Sequence, residues 1–198
     1  MIDLTLDFIC KQINEYLVRK LNLNATDTAI MLYNVSQLGS ENAGGNSNTD
    51  STTNAFLTLV NIEEDRISKS QDNFIRKDGK VLYQNPKVHL NLHLLFSVNL
   101  SSYTESLKRL SYIIQFFQYQ HVFTPLTSPG LPNGVEELIL DLYTLSLQDL
   151  NNMWGILGSK YLPSVMYKMR MITISEDFAQ GEAGLITGIN INSKNIQQ

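Results

Sequence analysis

The stretch from Lys87 to Asn99 places Val88, Leu90, Leu92, Leu94, Phe96 and Val98 at every second position. Successive side chains of a strand point to opposite faces, so this spacing predicts a β-strand with one fully apolar face. The intervening positions hold His89, Asn91, His93, Leu95 and Ser97. A chain with such a strand must lay its apolar side against something, which argues for a sheet backed by helices.

The helices are legible by their longer period. Residues 3–21 carry Leu6, Cys10, Ile13 and Leu17 as one apolar stripe. Tyr103–Gln120 reads as a second amphipathic helix, with Leu107, Leu110, Ile114 and Phe117 as its expected buried stripe and Ser101 or Ser102 as its cap. Gln148–Leu157 reads as a short third helix, with Ser146 near its start and Gly158 just past its end. Further strands are expected at Thr28–Val35, Ala55–Ile67, Glu137–Ser146 and Tyr161–Ser175, with short strands around a turn at Asp78-Gly79. Pro163 belongs at the beginning or edge of its strand, because it has no N–H for the ladder. The predicted class is therefore α/β (α+β): a single mixed, largely antiparallel sheet flanked by an N-terminal helix, a central amphipathic helix and a short late helix. The body is expected over residues 1–175, with a mobile polar loop at 37–54 and a C-terminal extension over 176–198. In that extension Leu185, Thr187, Ile189 and Ile191 alternate like a short edge strand, a candidate for addition to a neighbour's sheet.

Charged residues make up 17% of the chain and the net charge is −4. A surface with few charges repels itself less and suits a protein that covers much of itself with partners. The acidic balance offers no footprint for nucleic acid. The longest apolar runs are too short to span a bilayer, and the N-terminus shows no signal-like charge and apolar pattern. One cysteine, Cys10, excludes an internal disulfide and points to a reducing compartment. It lies in a helix stripe and reads as a buried structural thiol.

Chemistry is hard to find in this sequence. The histidines are His89, His93 and His121, and none stands in a catalytic motif. On a strand, His89 and His93 are roughly 13 Å apart, too far to grip one metal ion. The acidic run Glu63-Glu64-Asp65 reads as a solvated strand end. The expectation is a protein without enzyme activity, cofactor or metal. The rival is a small-molecule or catalytic α/β domain whose site gathers the three histidines; a third reading is an adaptor or chaperone for another assembly.

Several stretches together resemble a known family. They are Asn85-Pro86 and the strand ending Leu95-Phe96-Ser97-Val98-Asn99; Tyr103-x-x-x-Leu107-Lys108-x-Leu110, then Phe116-Phe117-Gln118 and Val122-Phe123; and Leu147-x-x-Leu150-Asn151-Asn152-x-Trp154 with Leu157-Gly158. The last runs into Tyr161-x-Pro163-Ser164-x-x-Tyr167-Lys168-x-Arg170, and Asn61 to Arg66 also fits. The pattern resembles the cap proteins that terminate the inner tube and sheath of phage-tail-like contractile injection systems. The resemblance implies a non-catalytic ring of six subunits on the end of a tube, with itself, the tube protein and the sheath protein as partners. It implies assembly in the bacterial cytoplasm, then a place in a particle that is released or membrane-attached. Trp154, Pro163, Tyr167 and Arg170 become candidate structural anchors, with the strand from Tyr167 to Arg170 a possible ring contact.

Overall fold

A computed structural model of the chain describes residues 1–24, 26–38, 54–65, 74–77, 80–83, 89–173 and 181–184. The elements in chain order are α1 (Ile2–Leu21), β1 (Ile30–Leu32), β2 (Ala55–Glu64), β3 (Phe74–Lys77), β4 (Lys80–Tyr83), β5 (His89–Val98), α2 (Tyr103–Tyr119), β6 (Val122–Phe123), β7 (Val135–Tyr143), α3 (Leu147–Leu157), β8 (Ser164–Thr173) and β9 (Gly181–Gly184). Six strands form one sheet in the order β1-β2-β5-β8-β7-β6. Only β1 and β2 run parallel; every other neighbour pair in it is antiparallel. This is the mixed, largely antiparallel sheet with three helices that the periodicities predict.

The helix ends follow from their sequence. In α1, Asp3 lies in the first turn and Arg19 and Lys20 in the last, each complementing the helix dipole. Asn22 ends the helix in the left-handed conformation at φ 53°, which asparagine tolerates. Ser102 Oγ accepts from Glu105 N at 3.4 Å to start α2. Ser146 Oγ accepts from Asp149 N at 3.1 Å to start α3, and Gly158 closes it at φ 63°. A Cβ at Gly158 would meet nothing nearby, so glycine is favoured there by the backbone angle alone.

α1 and α2 cover one face of the sheet. The stripe Leu6, Cys10, Ile13 and Leu17 is buried as expected. It packs with Leu92, Leu94, Phe96 and Val98 of β5, Leu138 and Leu140 of β7, and Met169 and Met171 of β8. Aromatic rings tie the layers together. Phe117 of α2 lies 4.6 Å from Tyr167 and 5.4 Å from Phe96, and Phe116 reaches Tyr16 of α1 at 5.4 Å.

Those ring contacts rotate α2 away from the predicted stripe. Leu110 and Phe117 are buried, but Leu107 and Ile114 are 43% and 39% exposed. The inward face is Ser106, Arg109, Leu110, Ile113, Phe116 and Phe117. The helix has two partners, the sheet and α1, and its adjacent phenylalanines satisfy both at once. Arg109 turns inward as part of the same rotation and donates Nη1–H to the Ala29 carbonyl at 3.4 Å. Burial lowers the pKa of its guanidinium, and Glu105 opposes that shift.

The strand bounds also shift for local reasons. The strand expected over Thr28–Val35 shortens to β1, and Val35–Gln37 forms a 3-10 turn. Asn34 Oδ1 accepts from Ser36 N at 3.1 Å and starts that turn, a side chain competing with the ladder for backbone. β8 begins directly after Pro163, whose carbonyl accepts from Val98 N at 3.0 Å. Residues 39–53 of the expected polar loop and residues 185–198 of the expected extension lie outside the described residues.

A second, three-stranded sheet has the order β3-β4-β9. The turn expected at Asp78-Gly79, between β3 and β4, lies outside the described residues. Its three strands follow β2, precede β5 and follow β8, so its order repeats that of the central three strands of the larger sheet, β2-β5-β8.

Candidate functional site

The other face of the large sheet carries the residues with chemical potential. α3 covers only one part of it. There Trp154 and Met153 pack on Val35, Phe56, Leu95 and Met166. Trp154 is 6% exposed. Its ring meets Tyr161 at 5.8 Å, and Nε1 has no hydrogen-bond partner among the described residues.

Beyond α3 the face becomes polar, and the strand register sets its layout. Lys168 lies opposite His93 on one side and opposite Asp141 on the other. In the next row Arg170 lies between Asn91 and Ile139, and Glu63 lies across from Asn91. Arg170 Nη2 donates to Asp141 Oδ2 at 3.0 Å, with both side chains about half exposed. His93 and Asn91 are each 7% exposed. His93 Nε2 approaches Glu63 Oε2 at 3.3 Å, but the contact is not aligned as a hydrogen bond. Tyr143 stands edge-on to the His93 ring at 5.0 Å.

The three histidines do not form one site. His89 is partly buried four residues before His93 on β5. His121 is exposed where α2 gives way to β6, with its carbonyl accepting from Leu140 N at 2.8 Å. Among the described residues, no three His, Cys, Asp or Glu side chains converge as a metal ion needs. Burial, with Asp7 adding to it, pushes the Cys10 thiol up to about 12, far from a reactive thiolate.

The candidate anchors Tyr167 and Arg170 divide between the two faces. Tyr167 is buried in the α2 side of the core, and burial pushes its phenol up to about 12. Arg170 is exposed on the polar face. Leu185, Thr187, Ile189 and Ile191 fall outside the described residues. Sequence reasoning missed buried Asn91 and Arg109. The signal for Asn91 was its place on a strand with neighbours on both sides, which buries both faces.

Two sheet edges are left open among the described residues. At one end of the sheet, β6 pairs only with Ile139 and Leu138 of β7, so β7 is uncovered from Asp141 onward among the described residues. A groove of about 450 Å³ opens there between Ile114 and Phe117 of α2, Leu140 and Leu142 of β7, and Tyr167. At the other end, β1 pairs with Ala55, Phe56 and Leu57 only. Past Leu57 the outer edge of β2 has no strand partner among the described residues. A second groove of about 500 Å³ straddles that edge. Unpaired edges next to apolar grooves are templates for another chain.

Comparison with known proteins gives the chain a family. No curated protein sequence matches the chain. Solved structures that share its fold include two terminators. One is the sheath/tube terminator, in the extended state, of the extracellular contractile injection system PVC: 17% identical, TM-score 0.59, covering 98% of this chain and 64% of that one. The other is the tube-terminating cap of the anti-feeding prophage: 12% identical, TM-score 0.62, covering 98% of this chain and 61% of that one. The chain thus spans under two thirds of the length of each. The Pvc16 N-terminal domain family matches residues 9–188, a range that takes in α2, α3, both sheets and both open edges. The chain belongs to the Pvc16 N-terminal domain family.

Proposed function

We propose that this chain is a structural cap subunit. Six copies close into a ring that ends the inner tube of a contractile injection system and meets the last sheath ring. The observation that carries this reading is the family match over residues 9–188, joined to a fold shared over 98% of the chain with a sheath/tube terminator and a tube-terminating cap.

A cap has to close on itself and match the tube on one side only. Head-to-tail contacts that close make rings, and those that do not close make filaments. The open edges of β2 and β7 lie at opposite ends of one sheet, which suits head-to-tail contact between copies. In this reading residues 1–175 form the cap body and 176–198 an extension that adds contacts. The role is non-catalytic, supported by the separation of His89, His93 and His121. The subunit assembles in the bacterial cytoplasm and leaves it, or docks at a membrane, as part of the particle.

Light scattering on the purified protein, alone and mixed with its tube protein, tests the reading. A closed oligomer of fixed mass, or a monomer that closes only on tube ends, is the expected result. A monomer indifferent to tubes would overturn it.

A further inference from the structure

Strand register puts Asn61 of β2 opposite His93 of β5, and Glu63 opposite Asn91. Directly opposed residues of an antiparallel pair share a face, and so do residues two apart on one strand. The four side chains therefore form a cross-strand square where β2 ends and β5 begins. Two of them, Asn91 and His93, are each 7% exposed. Among the described residues, Asn91 Oδ1 and His93 Nε2 have no hydrogen-bond partner. Buried polar atoms are seldom left so.

The approach of Glu63 indicates what would satisfy them. Its Oε2 stops 3.3 Å from His93 Nε2 without the alignment of a hydrogen bond. With the imidazole neutral and its proton on Nδ1, a ring lone pair and a carboxylate face each other across that gap. Such a pair repels unless a positive centre lies between. Two ligands of one tetrahedral zinc ion, each bound at about 2.0–2.2 Å, stand about 3.4 Å apart. The ligands are also held from behind. Asn61 Nδ2 donates to Glu63 Oε1 at 3.2 Å, and Tyr143 fixes the His93 ring edge-on at 5.0 Å, as outer contacts do in metal sites. Lys168, opposite His93 on β8, opposes a cation by its charge. Arg170 on the same strand is engaged by Asp141 at 3.0 Å.

We propose that Glu63, His93 and Asn91 form a site for one divalent metal ion of the zinc class. His93 Nε2 and the Glu63 carboxylate are its principal ligands, Asn91 Oδ1 supplies an amide oxygen, and water completes the shell. The imidazole favours such an ion over magnesium or calcium, which take oxygen ligands. The role is structural. The ion ties the end of β2 to the start of β5, where the chain leaves the large sheet for β3 and β4 and returns from them. The site needs no second copy, so it forms in a monomer as in a ring.

Calorimetric titration of the purified chain with zinc chloride, and separately with magnesium chloride, tests the site. The expected result is one zinc ion per chain, no magnesium, and a higher urea midpoint with zinc present. In NMR spectra of the imidazole nitrogens, His93 Nε2 is expected to shift on zinc addition. Glu63→Gln changes a half-exposed side chain, so it should keep the metal-free urea midpoint and lose the rise with zinc. Asn61→Ala frees the carboxylate and should weaken zinc binding about tenfold. His121→Ala, at an exposed histidine outside the square, should change nothing. A chain that binds no zinc, binds it equally well as Glu63→Gln, or shows the shift at His89 or His121 in place of His93 overturns the site.

Discussion

On the face under α1 and α2, β5 buries Leu92, Leu94, Phe96 and Val98; on the face under α3, the same strand buries Asn91, His93, Leu95 and Ser97. The backbone is shared, so the difference lies in the cover. Two long helices seal the first face, and its apolar contents need nothing beyond burial. A single helix, Leu147–Leu157, seals a corner of the second. There neighbouring side chains cover the polar groups of β5, and Lys168, Arg170 and Asp141 remain within reach of solvent. The first face holds the fold together. The second has room for a partner.

Substitutions can break that comparison or sharpen it. Phe96 is fully buried among Phe117 and Tyr167, so Phe96→Ala is expected to cost about 3–5 kcal/mol in urea unfolding. A cost near 1 kcal/mol would mean the dry face is loosely packed. On the other face, Trp154→Ala is expected to cost about 3 kcal/mol, whereas Trp154→Phe should cost less than about 1.5 kcal/mol. Among the described residues the indole N–H has no partner to lose, so a large penalty for Trp154→Phe would expose a hydrogen bond that forms in solution.

The third prediction concerns pH. Burial raises the Cys10 thiol from 9.0 to about 12, so the folded chain keeps it neutral while the unfolded chain ionises it. The stability held below pH 9 is then lost as pH rises toward 12, by about 1.4 kcal/mol per pH unit at most. Urea midpoints from pH 8 to 11 measure this, and Cys10→Ala should flatten that part of the profile. The smallest effect is expected from Arg170→Ala. Its pair with Asp141 is half exposed, so the loss should be about 0.2–1 kcal/mol and should shrink in high salt. A larger loss would show that the polar face contributes to the fold as the apolar face does.

Much of this was legible because period and burial agree. The alternation of β5, the stripe of α1, the caps of α3 and the position of Pro163 before β8 all follow from local rules. What escaped depends on who sits next to whom. α2 has more apolar residues than one face can hold, and only its packing against both α1 and Tyr167 decides that Phe116 and Ile113 turn in while Leu107 and Ile114 turn out. Asn91 and His93 look solvent-facing on a strand until both neighbours, β2 and β8, are in place. The open edges could not be read at all, since an unpaired edge is a property of sheet order rather than of any segment.

The repetition of β2-β5-β8 as β3-β4-β9 has a mechanical side. Any pull on the small sheet passes along the chain into the three central strands of the large one. Inter-strand hydrogen bonds lie across the strand direction, so tension along the strands must shear many of them together rather than peel them one at a time. A subunit held by its small sheet would therefore load the hydrogen-bond ladders that join β2, β5 and β8.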